Sequence, residues 1–375
     1  MVLLVSAGLF TRSLVNVSRI DLGLDLEQLI TFGVSPALNG YEPQRSRDLF
    51  ERLEAELAAI PGVTDVAAAR VPLLGGSNWG AAVTVEGFEA GPDTDISSRF
   101  NHVGTGYFGA LGNPLLSGRE FSLADRLDAP KVAIVNEQFA RKFDLGDNAV
   151  GMWMSNDRDA ELDIQIIGLA RNAKYSSVKD EIPPLFFLPY QQNESIDAMT
   201  FYIRSPLDVG QLLATVPQVV AQLDPNLPVD NLRSMEAQIQ ESIFIDRIIS
   251  VLSTGFAGLA TLLAAIGLYG VLAYTVAQRT REIGLRMALG ADADRVRALI
   301  LRQVGWMTLI GGTTGLALAL GLGRVARSML FELDGHDPVV LIGAVLGLAL
   351  VALVAGAIPA LRASRIDPMR ALRYE

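Results

Sequence analysis

The chain has 375 residues, 50% hydrophobic and 19% charged, with a formal net charge of −10 and a mean hydropathy of +0.33. It has no Cys and only two His, His102 and His336, which excludes disulfides, thiolate catalysis and cysteine-ligated metals and leaves little from which to build a histidine metal site. The acidic balance argues against nucleic acid as a partner, and the positive hydropathy is foreign to an ordinary soluble enzyme.

Met1 to Thr11 (MVLLVSAGLFT) is apolar but too short to span a bilayer, and Arg12 ends the run. The basic stretch and cleavage site of a signal peptide are missing. Residues 1–18 are therefore expected to be the outer end of a membrane helix whose beginning is truncated. Residues 19–247 are expected to form a large α+β extracytoplasmic domain. Leu49, Phe50, Leu53, Leu57 and Ile60 share one face of a predicted helix over Gln44–Ile60, which Pro61-Gly62 stops. Predicted strands follow at Val63–Ala69, Val83–Phe88, Lys131–Val135, Leu162–Leu169, Leu185–Leu188 and Met199–Ile203. A helix is predicted over Val209–Leu223, kinked or split at Pro217, and a polar helix over Ser234–Asp246 running unbroken into the membrane.

Charge divides the chain at Arg247. Residues 1–247 hold 19 Lys/Arg against 33 Asp/Glu, whereas residues 248–375 hold 12 against 8. The second part contains three runs with no ionisable residue: Ile248–Gln278, Gln303–Gly323 and Pro338–Leu361. Each reaches the roughly 20 residues that a membrane helix needs. The segment Arg279–Arg302 carries six Arg against three acids, and the tail after Leu361 carries four Arg. The positive-inside rule puts both in the cytoplasm and the acidic Glu332–Asp337 outside, with Arg324 and Arg327 dissenting slightly. Long domains translocate regardless of charge, so the acidic domain can lie outside.

No phosphate-binding loop, nucleophile elbow or zinc-protease helix is present, so no catalytic residue, cofactor site or metal site is assigned and the protein is expected not to be an enzyme. Gly104–Gly109 (GTGYFG) lacks the strand–turn–helix setting of a dinucleotide site and reads as a turn. Asp157, Asp159, Glu161 and Asp163 alternate like a calcium loop, but Leu162 replaces the turn glycine and no bidentate Glu follows. The apolar runs contain Ser and Thr but no ionisable group, against the needs of an ion-coupled carrier. Gly311/Gly315 and Gly343/Gly347 are spaced for close helix approach, although high glycine content alone would also produce such pairs.

Arg281–Ala291 (REIGLRMALGA) joins the first two spans. Composition favours an amphipathic helix in the headgroups over a docking helix for a cytoplasmic partner. The motif nevertheless resembles the cytoplasmic coupling segment of MacB/FtsX-type ABC transporter permeases. The tail Ile358–Glu375 (IPALRASRIDPMRALRYE) is similar to the family's ending. IPGVTDVA (Ile60–Ala67), GYFGALG…GREF (Gly106–Phe121), VAIVNEQFA (Val132–Ala140) and Leu188–Tyr190 resemble a MacB-like periplasmic core.

The resemblance implies a helical bundle of four membrane helices, the first truncated, with the core domain after the first. It divides the chain into the helix at 1–18, the core at 19–247 and an FtsX-like permease domain at 248–375, with spans at about 248–277, 303–323 and 338–361. It implies a dimeric permease in a bacterial inner membrane, driven by a cytoplasmic ABC ATPase in trans. A second permease subunit or half, membrane lipid, and a periplasmic adaptor or outer-membrane channel complete the implied partners. Arg281, Glu282, Gly284, Arg286, Met287, Ala288 and Gly290 would meet the ATPase. The absence of a fused ATPase and the short first helix also fit the C-terminal half of a duplicated permease. The alternative is a membrane-anchored regulatory protein whose outer domain controls a periplasmic enzyme.

Overall fold

The computed structural model describes residues 1–158, 161–280, 282, 285, 293–325 and 337–363. The chain divides into two compact units, an α+β unit of Ile20–Ser242 and a helical unit of Met1–Arg19 with Ile243–Glu375.

The α+β unit begins with β1 (Leu29–Val34), α2 (Pro43–Ala58) and β2 (Asp65–Ala69), and closes with β11 (Met199–Arg204), α5 (Val209–Leu223) and β12 (Asp230–Ser234). These elements make a split βαβ arrangement with strand order β12-β1-β11-β2, β11 lying antiparallel to both its neighbours. The pattern follows from the residues. Pro43 starts α2 where no amide partner is needed, and Leu49, Phe50, Leu53 and Leu57 recur on one buried face. That face and Leu212, Val216 and Val220 of α5 cover Phe32 and Phe201, whose rings stack at 5.4 Å across β1 and β11. Helix α5 runs through Pro217 unbroken, so the expected split does not occur.

Between β2 and β11 the chain inserts a second sheet, comprising β3 (Trp79–Ala82), β4 (Thr84–Val85), β5 (Ser97–Val103), β6 (Leu115–Gly118), β7 (Lys131–Asn136), β8 (Trp153–Ser155), β9 (Ile164–Ala170) and β10 (Leu185–Pro189). The segment 79–85 pairs with β5 through β3 and with β8 through β4, so the order β5-β10-β7-β9-β8-β4 closes on itself. Short helix α4 (Glu137–Lys142) is capped by Asn136, whose side chain accepts from the Phe139 amide. Phe139 then enters the enclosed core beside Val135, Ile166 and Phe186. The expected strand at Val83–Phe88 is shifted, starting at Trp79, breaking at Val83 and ending at Val85, because its two halves pair with different neighbours.

The two sheets join at one register pair, Ala69↔Val103. The expected turn at Gly104–Gly109 is in part a helix, α3 (Tyr107–Ala110), entered from Gly106 at φ 74°. Tyr107 packs between Tyr202 of β11 and Phe187 of β10, at 6.4 and 5.7 Å, and so wedges the two halves together. Glu120 accepts from the Phe108 amide at 2.9 Å, and Arg119 makes two 2.8 Å bonds to the buried Asp125. The GYFGALG…GREF stretch is thus a structural brace.

In the helical unit, α1 (Val2–Ser18) continues six residues past Arg12. Helices α7 (Phe244–Gln278), α8 (Ala293–Val325) and α9 (Pro338–Ala363) follow. Among the described residues, three segments are long and apolar enough to cross a membrane, Phe244–Gln278, Arg297–Leu322 and Pro338–Arg362, with mean hydropathies of 2.0, 1.4 and 2.8. The expected unbroken helix from Ser234 is interrupted. Helix α6 (Met235–Ser242) ends before Ile243, whose φ of −101° and ψ of 4° separate it from α7.

Candidate functional site

The helical unit is held by small residues and by polar contacts near one end. Val5 and Leu9 of α1 pack with Ala319 and Ala344, while Leu272, Ile300, Val304, Ala352 and Ala360 form a second cluster between α7, α8 and α9. A Cβ on Gly8 would lie 2.6 Å from Val340, and one on Gly356 would lie 2.8 Å from Val304. Of the expected pairs Gly311/Gly315 and Gly343/Gly347, Gly315 makes as close an approach, its Cβ position lying 2.5 Å from Met1. Of those four only Gly315 has a neighbour within 4 Å, the Met1 side chain. Gly356→Leu is expected to cost about 1–3 kcal/mol by overpacking against Val304, read as a lower melting temperature in detergent.

Asp337 precedes Pro338 at the start of α9 and accepts from the amides of Val339 and Val340 at 3.0 and 3.2 Å. Its Oδ1 also accepts from Arg12 Nη1 of α1 at 2.6 Å, with side-chain exposures of 10% for Asp337 and 40% for Arg12. Thr11 meets Ser250 of α7 at 3.1 Å. At the other end of α7 and α9, Arg362 donates to the Tyr269 hydroxyl at 2.6 Å. Thr261, Thr275, Thr313 and Thr314 each donate to the carbonyl four residues back, which satisfies their hydroxyls within their own helices.

A groove between the ends of α7 and α8 is lined by Leu272, Val276, Leu299 and Ile300 and by the polar side chains of Thr275, Arg279 and Glu282. Of the residues expected to meet an ATPase, Glu282 alone lies within the described set. Arg281, Gly284, Arg286, Met287, Ala288 and Gly290 lie outside the described residues, as does the tail beyond Ala363. In the α+β unit, burial first and the Arg70 charge second push the His102 pKa down to about 4, and its Nε2 meets the Asn193 amide at 3.0 Å. His102 is therefore a neutral core residue at physiological pH. Of the alternating acids, Asp163 pairs with Lys131 at 2.5 Å and Asp159 lies outside the described residues. No group of three or more His, Cys, Asp or Glu is placed to hold a metal among the described residues.

The model of the MacB-like periplasmic core domain matches residues 1–241, and that of the FtsX-like permease C-terminal domain matches residues 254–368. The chain belongs to the MacB/FtsX-like family of ABC transporter permeases. The permease is 26% identical over 278 residues to the pyoverdine export ATP-binding/permease protein PvdT of Pseudomonas syringae pv. syringae (strain B728a), covering 72% of this chain and 42% of that protein. It is 24% identical over 298 residues to the uncharacterized ABC transporter permease YknZ of Bacillus subtilis (strain 168), covering 76% and 72%. The chain thus spans less than half the length of PvdT. The crystal structure of the periplasmic region of MacB from Actinobacillus actinomycetemcomitans aligns with a TM-score of 0.38 at 15% identity, covering 58% of this chain and 94% of that one.

Sequence reasoning missed Gly8, Gly356 and the Arg12–Asp337 pair in the permease. Asp337-Pro338 was the available signal for the last, since Asp before Pro marks a helix start. The partner on α1 had none, because the two residues are 325 positions apart.

Proposed function

We propose that this permease couples ATP hydrolysis by a partner ATPase, supplied in trans, to movement of its α+β domain, and that it catalyses no reaction itself. In this reading α1 is a fourth membrane helix. The Arg-rich Arg279–Arg302 faces the cytoplasm, the α+β domain lies across a bacterial inner membrane, and the permease works as a dimer. The observation that carries the reading is the FtsX-like match over 254–368, which contains the REIGLRMALGA segment between two charge-free runs. Locally satisfied Thr hydroxyls and the lack of ionisable groups in the apolar runs also favour motion over a polar pathway through the helices.

The PvdT relative is named as an ATP-binding and permease protein in one, and this chain matches under half of it. The test is affinity purification of the tagged protein from native membranes in mild detergent, with and without Gly284→Trp. Recovery of a P-loop ATPase, lost at least tenfold in the membrane-inserted Gly284→Trp variant, is expected; a tenfold loss is about 1.4 kcal/mol of docking free energy. Equal recovery with both proteins would sink the coupling-segment assignment. A periplasmic hydrolase in place of an ATPase would transfer the reading to a regulator of that enzyme.

A further inference from the structure

The sheets of the two halves pair at the single position Ala69↔Val103, supported by the Arg70 amide donating to the His102 carbonyl at 2.9 Å and the Gly104 amide to the Ala68 carbonyl at 2.8 Å. Arg47 of α2 donates across the same seam to the Asn193 carbonyl at 2.6 Å, and the Leu73 amide to the Tyr202 hydroxyl at 2.7 Å. One carboxyl also lies at this seam. Glu54 of α2 belongs to the split βαβ half, while the residues around its carboxyl come from the inserted half. Its Oε2 accepts from the Tyr190 hydroxyl at 2.7 Å, just after β10. Its Oε1 has no donor in reach, and the space where a Gly104 Cβ would sit lies 2.3 Å from it.

Among the described residues, no cation balances the carboxyl. Helix α5, packed on α2, has no ionisable residue, and neither has the turn Pro36–Asn39. Strand β2 offers only Asp65, exposed at its end. Tyr190 faces Glu54 from the other half, and Glu51 on α2 adds a second negative charge. Burial, as the larger cause, and Glu51 raise the Glu54 pKa to about 7, against the opposing effect of the Tyr190 hydrogen bond.

We propose that Glu54 is a proton-operated latch, which holds the two halves of the α+β domain together while it is neutral and loosens the seam when it ionises. The device goes beyond the coupling reading and does not depend on an ATPase. The sign follows from linkage. A carboxyl with its pKa raised in the closed state contributes its full stabilisation below the open-state value near 4.5, and loses it as pH rises through 7. Between pH 5.5 and 8.5 the closed-to-open ratio should therefore fall about 30-fold, taking pKa values near 4.5 and 7 for the two states.

The absence of native Cys allows clean labelling. Spin labels at Gln222→Cys and Asn148→Cys, one in each half, would report the separation by pulsed electron resonance in the full chain in nanodiscs. The expected result is a distance distribution that broadens or lengthens as pH rises from 5.5 and levels off above about pH 7. Glu54→Gln should hold the low-pH distribution throughout. Tyr190→Phe removes the donor that favours the ionised form, and should move the levelling-off point to higher pH. A distribution unchanged from pH 5.5 to 8.5, a pH response that survives Glu54→Gln, or an unmoved levelling-off point in Tyr190→Phe would each overturn the proposal.

Discussion

Gly118→Ala is expected to destabilise the α+β unit by about 3–5 kcal/mol, as the sum of a left-handed backbone cost and an overpacking cost. Gly118 ends β6 at φ 84°, and a Cβ there would lie 2.1 Å from the Ile167 carbonyl and 2.7 Å from the Gly168 Cα. Both obstacles are backbone of β9, so no rotamer change can relieve them, and the β6–β9 pairing must part. Arg119 and Glu120 follow directly, so the Asp125 pair and the α3 contact would be lost as well. Gly146→Ala is the control. Its φ of 55° is also positive, but a Cβ would meet nothing within 4 Å, so only the backbone cost of about 1–2 kcal/mol is expected. Denaturant unfolding of the full chain in detergent, followed by proteolysis of the α+β unit, reads both variants. Equal stability of the two would show that β9 yields, and that the contact contributes nothing.

Asp337→Ala has the second largest expected effect, about 2–3 kcal/mol off the helical unit, because it removes a helix cap worth about 1 kcal/mol together with an ion pair. Arg12 is 40% exposed, so solvent screening keeps its share near 1 kcal/mol, well below that of a fully buried pair. Asp337→Asn keeps an oxygen for the Val339 and Val340 amides while losing the charge, and should cost about 1 kcal/mol. Arg12→Ala should match Asp337→Asn, and the double variant should cost no more than either alone. Melting in detergent, followed by circular dichroism, makes the comparison. Asp337→Ala no worse than Asp337→Asn would remove the cap from the account.

Much of this architecture was legible in residue patterns. The charge-free runs marked α7, α8 and α9, because burying ionised groups in hydrocarbon is too costly for them to occur there without cause. The amphipathic spacing of Leu49, Phe50, Leu53 and Leu57 marked α2. Strands β1, β5, β6, β8 and β12 were missed. Asp230–Ser234 (DNLRS) has no apolar alternation, and it is a strand because β1 offers its free edge. The predicted run from Ser234 into the membrane failed at Ile243 because period and polarity do not register a one-residue break.

For the coupling segment, the sequence carried the whole reading: motif, spacing and charge, with the structure describing only Glu282 and the adjoining groove. Composition and periodicity by themselves determined that this protein enters a membrane, where its long domain lies along the chain, and that it has no Cys for thiolate chemistry. These are local properties, summed over short windows of chain. Only the tertiary structure decided that residues 79–85 close a sheet, that Glu54 sits without a cation at a seam, and that Arg12 meets Asp337. Each of those depends on partners that are distant in sequence, and a buried group's energy is set by what surrounds it, which no local pattern encodes.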